Sequence, residues 1–174
     1  MAVFKNNEEE GWGRFDFGPL RDSFGIILYC STQKLKNDVA WLARNDYVIM
    51  EFDCQRWTSQ DAIHNDVSEQ FEFSHWYLGS PRAIHGMLMD VDVPEVGGLA
   101  VVLRRVDGIR VDYDDFVWNL MNFCTYVIRF HLLFGRRMLL LVQSNDPAME
   151  FKEVGGRSVN WNWEERSRRD RRPD

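Results

Sequence analysis

Four short apolar runs constrain this chain most: FGIILYC (24–30), YVIMEFD (Tyr47–Asp53), LAVVLR (99–104) and MLLLVQ (Met138–Gln143). Each has strand length and is rich in aliphatic and aromatic residues. Runs of this kind suit strands buried on both faces, as when helices cover both sides of a parallel sheet. Helical stretches lie between them. Leu35, Val39 and Leu42 share one face of a helix over 33–44, with Ser31 or Thr32 as N-cap. Ile63, Val67 and Phe71 do the same over 60–71, after Thr58 or Ser59. A short helix over 81–89 begins with Pro81 after Ser80 and has Ala83, Ile84, Met87 and Leu88 on its apolar face. A long helix over 115–134 carries Phe116, Leu120, Phe123, Val127, Phe130 and Phe134 at helical spacing and stops at Gly135. The order β-α-β-α-α-β-α-β predicts an α/β fold, a parallel sheet of about four strands with helices packed on it.

This core spans 24–146. Residues 1–23 form a leader in which Trp12, Phe15 and Phe17 are spaced for an edge strand. Residues 147–174 form a C-terminal extension. Trp161 and Trp163 alternate there with Asn160 and Asn162, the pattern of a small added strand. The charged end, 164–174, reads as mobile.

The formal net charge of −6 argues against nucleic acid as a partner and suits a basic protein. Cys30, Cys54 and Cys124 are odd in number and widely spaced, so neither a disulfide framework nor a zinc site is expected, and a reducing cytoplasm is. The N-terminus lacks a secretory pattern, and no apolar run has membrane-spanning length. Phosphate-loop, dinucleotide and nucleophile-elbow motifs are absent, and Gly97-Gly98 precedes a strand rather than a helix. His64, His75, His85 and His131 show no metal-ligand spacing, so no cofactor or metal is expected. His85 lies near Ser80 and Asp90, a grouping that suits a hydrolase. The Ser80 hydroxyl is engaged as an N-cap in this reading, so catalysis stays the alternative. Acids cluster at Asp90, Asp92 and Glu95, and again at Asp112, Asp114 and Asp115.

One stretch, FSHWYLGSPRAIHGML, resembles the signature of the barstar family of ribonuclease inhibitors, an aromatic pair and a glycine followed by a short helix. Phe73 matches the first aromatic, Trp76 and Tyr77 the pair, and Ala83, Ile84 and Leu88 the helix core. The resemblance covers about residues 47–143. It implies a non-catalytic inhibitor or immunity-type protein that binds and blocks a protein toxin or nuclease through the helix around 80–90. Where the family carries two aspartates on that helix, this chain has Arg82 and Gly86. His85 replaces the aromatic between them, Ser80 replaces an asparagine, and a later acidic position falls near Phe130. The expected contact residues are Trp76, Tyr77, Ser80, Arg82, His85, Gly86 and Met89, with Asp90 and Asp92 as replacement acids. Neither nucleic acid nor membrane is an expected partner, and a monomer or weak dimer is the expected state. Two other readings stand beside this one: a small hydrolytic enzyme using His85 with nearby acids, and a regulatory module that makes contact through Trp161 and Trp163.

Overall fold

The chain is described by a computed structural model at residues 4, 11–71, 88–109 and 116–173. Its elements are α1 (Phe17–Asp22), β1 (Ile26–Tyr29), α2 (Thr32–Arg44), β2 (Tyr47–Asp53), α3 (Gln60–Gln70), β3 (Gly98–Arg104), α4 (Phe116–Leu133), β4 (Met138–Gln143) and β5 (Asn160–Trp161). Local chemistry places their ends. The Ser31 hydroxyl accepts the Lys34 N–H to cap α2, and the Ser59 hydroxyl accepts the Ala62 N–H to cap α3. Gly135 takes φ +78° and turns the chain out of α4.

All strands are parallel, in the order β2-β3-β4-β1-β5. The fold is therefore α/β, with four full strands and a two-residue fifth contributed by the C-terminal extension. The β1-to-β2 crossover travels one way along the sheet, and the crossovers from β2 to β3 and β3 to β4 travel back. Right-handed connections then put α2 on one face, and α3 and α4 on the other. On the α3–α4 face Phe52 lies 5.9 Å from Trp57 and stacks at 5.8 Å on Phe71. Trp57 meets Phe116 edge-on, and its indole N–H donates to Asp66 at 2.8 Å.

The edge strand expected in the leader is corrected to a helix. Pro19 lies in the first turn of α1, where a missing N–H costs nothing, and the Leu20 side chain is buried. Just before α1, the fully buried Asp16 carboxylate receives Arg14 at 2.9 Å and the Tyr47 hydroxyl at 2.5 Å, with Arg137 at 3.5 Å. The leader is thereby tied to the amino ends of β2 and β4. Beside it, Gly97 has φ +75°, and a Cβ there would stand 1.9 Å from the Asp46 carbonyl oxygen. Only glycine lets the chain enter β3 this close to β2.

The aromatic stripe read along α4 is also only partly the buried one. Met121, Cys124, Thr125, Val127, Ile128 and His131 are buried, whereas Phe130 and Phe134 of that stripe are exposed. The helix is apolar nearly all round, so spacing alone does not choose which face meets the sheet.

Candidate functional site

The described chain resumes at Leu88, which is buried, and Met89 packs on the core at its edge. The next residues form an acidic turn in which Val91 and Val93 point inward, while Asp90 and Asp92 are exposed. This alternation follows from anchoring a turn by two valines. Opposite stands the carboxyl end of α4. An open cleft of about 490 Å³ separates the two, with Phe130, His131 and Phe134 on the helix side.

Arg136 crosses between them, 3.5 Å from Asp92 and 3.8 Å from Glu95. Asp90 lines the same cleft, so its rim carries three carboxylates against this one guanidinium and is net negative. Phe134 in the cleft wall is 68 % exposed, and sequence neighbours of the lining residues are exposed apolar residues too: Leu133 at 83 %, Val96 at 71 % and, two turns back along α4, Tyr126 at 62 %. Tyr126, Phe130 and Phe134 repeat every four residues along α4 and one residue past its end, with Phe130 and Phe134 rings 4.9 Å apart. Contiguous exposed aromatics rimmed by charge characterise protein-binding surfaces.

His131 forms the floor. Burial pushes its imidazole below the ordinary value, against a backbone hydrogen bond with Leu88; Arg136 lowers it further and Asp92 raises it. Its Nε2 has no hydrogen-bond partner among the described residues. A neutral ring held this way supports the aromatic wall.

Of the residues expected from sequence, Met89, Asp90 and Asp92 come together at this cleft. Trp76, Tyr77, Ser80, Arg82, His85 and Gly86 lie outside the described residues, as do His75, Asp112, Asp114 and Asp115. His64 is buried in α3, with its Nε2 3.5 Å from the Gln60 amide nitrogen. No group of three His, Cys, Asp or Glu among the described residues is placed to hold a metal. Burial pushes the Cys54 thiol up, and the Cys124 thiol up to about 12, so these two thiols are weak nucleophiles. No described helix is long and apolar enough to cross a membrane.

Sequence reasoning missed the exposed α4 stripe. Its signal was present: an 18-residue helix with apolar residues on more faces than one sheet can cover. A second cleft, of about 730 Å³, opens at the carboxyl ends of β2, β3 and β4. Arg105 there adopts a left-handed conformation, φ +57°. Its N–H donates to the buried Gln143 at 2.9 Å and its guanidinium clamps Asp53. Arg104 faces Glu51 at 3.3 Å in the same cleft. Arg56 also lines this cleft, 3.7 Å from Asp66, so no surplus of carboxylates forms here as it does beside α4.

No protein-family model matches this chain, and no curated protein matches it.

Proposed function

We propose that this protein is a non-catalytic inhibitor or immunity-type protein that blocks a protein toxin or nuclease in a reducing cytoplasm. Docking uses the short helix around 80–90, extended by the acidic turn and the exposed end of α4. The carrying observation is the surplus of carboxylates at Asp90, Asp92 and Glu95 beside the uncovered Phe130 and Phe134 rings. A basic partner with an apolar centre complements both features. The acids steer its approach, and the aromatics supply the desolvated contact.

The barstar-like signature supports the same reading from the sequence side. With Arg82 and Gly86 at the helix positions where that family has acids, the negative charge of this site is carried by Asp90 and Asp92. The test is a charge swap in the full chain, Asp90→Lys with Asp92→Lys. The variant folds normally, because both side chains are exposed, and loses partner binding. Binding unchanged by the swap would place the interface elsewhere.

One observation favours the interaction-module reading. Trp12 and Trp163, 56 % and 69 % exposed, flank a groove of about 320 Å³ floored by Ile26, Ile27 and Trp161. Trp163→Ala distinguishes the two readings, since binding centred on α4 survives it and binding through the tail does not.

A further inference from the structure

We infer that the C-terminal segment 160–171 is a strap latched by the buried carboxylate of Glu165, which bonds the backbone N–H groups of Cys30 and Ser31, and that closing the latch keeps β1 from becoming an open edge.

The side chain of Glu165 is fully buried. Its Oε2 accepts the Cys30 N–H at 3.0 Å and its Oε1 the Ser31 N–H at 2.8 Å. Lys34 Nζ stands 4.0 Å from the same Oε1 and 3.7 Å from Glu164. A carboxylate removed from water is tolerated only when its lone pairs are satisfied, and here backbone donors at the β1–α2 junction satisfy them.

The remaining ties are mainly polar and close to the latch. Asn162 donates its N–H to Leu28 at 2.7 Å and its side-chain N–H to Asp38 at 2.8 Å. The Arg171 guanidinium lies 4.1 Å from the Trp161 ring centroid and donates to the Glu165 carbonyl at 3.1 Å. Of these groups, Glu165 alone is wholly withdrawn from solvent with charge-assisted bonds to a distant part of the chain. The strand it secures, β5, has two residues and is too short to hold the sheet edge by pairing alone.

Opening the strap uncovers one side of β1, a strand buried throughout its length. An apolar edge strand with unpaired N–H and C=O groups pairs with another chain. Each opened copy offers the same uncovered β1 edge, between β4 and the displaced β5, so in a solution of this protein alone the occupant is a second copy pairing edge to edge. The latch is therefore a guard against self-association and acts through a contact separate from the α4 cleft.

Amide hydrogen exchange on the full chain tests this with wild type and Glu165→Ala. The expected result is exchange faster by about tenfold or more at Cys30, Ser31 and Asn162 in Glu165→Ala, with Val101 and Leu140 unchanged. Light scattering then shows dimers that grow with concentration for that variant and not for wild type. The inference is overturned if Cys30 and Ser31 exchange as in wild type, if strap and central strands accelerate by one common factor, or if the opened variant stays monomeric. Should Glu165→Ala fail to fold, Asn162→Ala reports the same opening. Acceleration confined to the strap and β1 supports the latch, and uniform acceleration across the sheet sinks it.

Discussion

Arg136 Nη1 lies 3.5 Å from Asp92 Oδ1, and this contact joins the acidic turn before β3 to the residues that follow α4. Asp92 is 96 % exposed, so the pair contributes about 0–1 kcal/mol to stability. Its effect is on charge. Arg136→Ala is expected to leave the urea midpoint nearly unchanged while adding one uncompensated negative charge to the rim. A basic partner then associates faster at low salt, and the gain fades as salt rises. Stopped-flow association at several ionic strengths checks this; a slower association at low salt would show that the rim repels its partner.

His131 makes stability depend on pH. Burial holds its folded value below the 6.5 of a free imidazole. Above that value both folded and unfolded chains carry the neutral ring, and the group contributes no pH dependence. As pH falls below about 6.5 the unfolded chain takes the proton first, and stability drops until the folded ring also protonates. His131→Gln removes this share of the acid loss. Urea unfolding of both proteins at about pH 7.5 and pH 5.5 gives a smaller difference for the variant; equal differences would show that His131 does not titrate in this way.

The Tyr47 hydroxyl donates to Asp16 at 2.5 Å inside a buried cluster. Burial and the nearby carboxylate push the phenol well above its ordinary value, so it stays a donor through the physiological range. Tyr47→Phe keeps the packing and removes that bond, at an expected cost of about 1.5–3 kcal/mol. Denaturant unfolding measures it. A cost near zero would mean that Arg14 and Arg137 satisfy Asp16 without the phenol.

Gly97 and Gly18 respond in opposite directions to alanine. At Gly97 the left-handed conformation alone costs about 1–2 kcal/mol, and the contact with the Asp46 carbonyl adds to it. Gly18 has open space around its Cβ position inside α1, so alanine there is neutral or stabilises by up to about 1 kcal/mol. Thermal melts of the two variants are expected to shift apart. Equal shifts would contradict the close approach of Gly97 to Asp46.

What the sequence made legible was local. Tyr47–Asp53 and Met138–Gln143 are strands over the very residues read from hydrophobicity, and Ser31, Ser59 and Gly135 mark helix ends because capping chemistry acts over three or four residues. Strand order was not legible. Nothing near Ile26–Tyr29 announces that β1 lies between β4 and β5, since that depends on pairing across most of the chain. Glu165 was hidden for the same reason: its backbone donors lie 134 and 135 residues away. At the candidate site, Met89 was named as the last residue of the expected short helix, and Asp90 and Asp92 as replacement acids at its end. Phe130 and Phe134 were read as residues at helical spacing, their exposure unseen, because an all-round apolar helix does not reveal which residues lack a sheet to cover them.

The central claim is that the acidic turn and the α4 aromatics form one docking face for a basic toxin or nuclease. Its most direct measurement is capture of the partner by the full-length protein from its own cells, followed by co-expression of that partner with wild type and with Phe130→Ala/Phe134→Ala. The captured protein is expected to be basic, to be toxic or nucleolytic when expressed alone, and to be neutralised by wild type. The double variant, still folded, is expected to lose about 2 kcal/mol or more of binding and to fail at neutralisation. Neutralisation by the double variant as complete as by wild type would contradict the account.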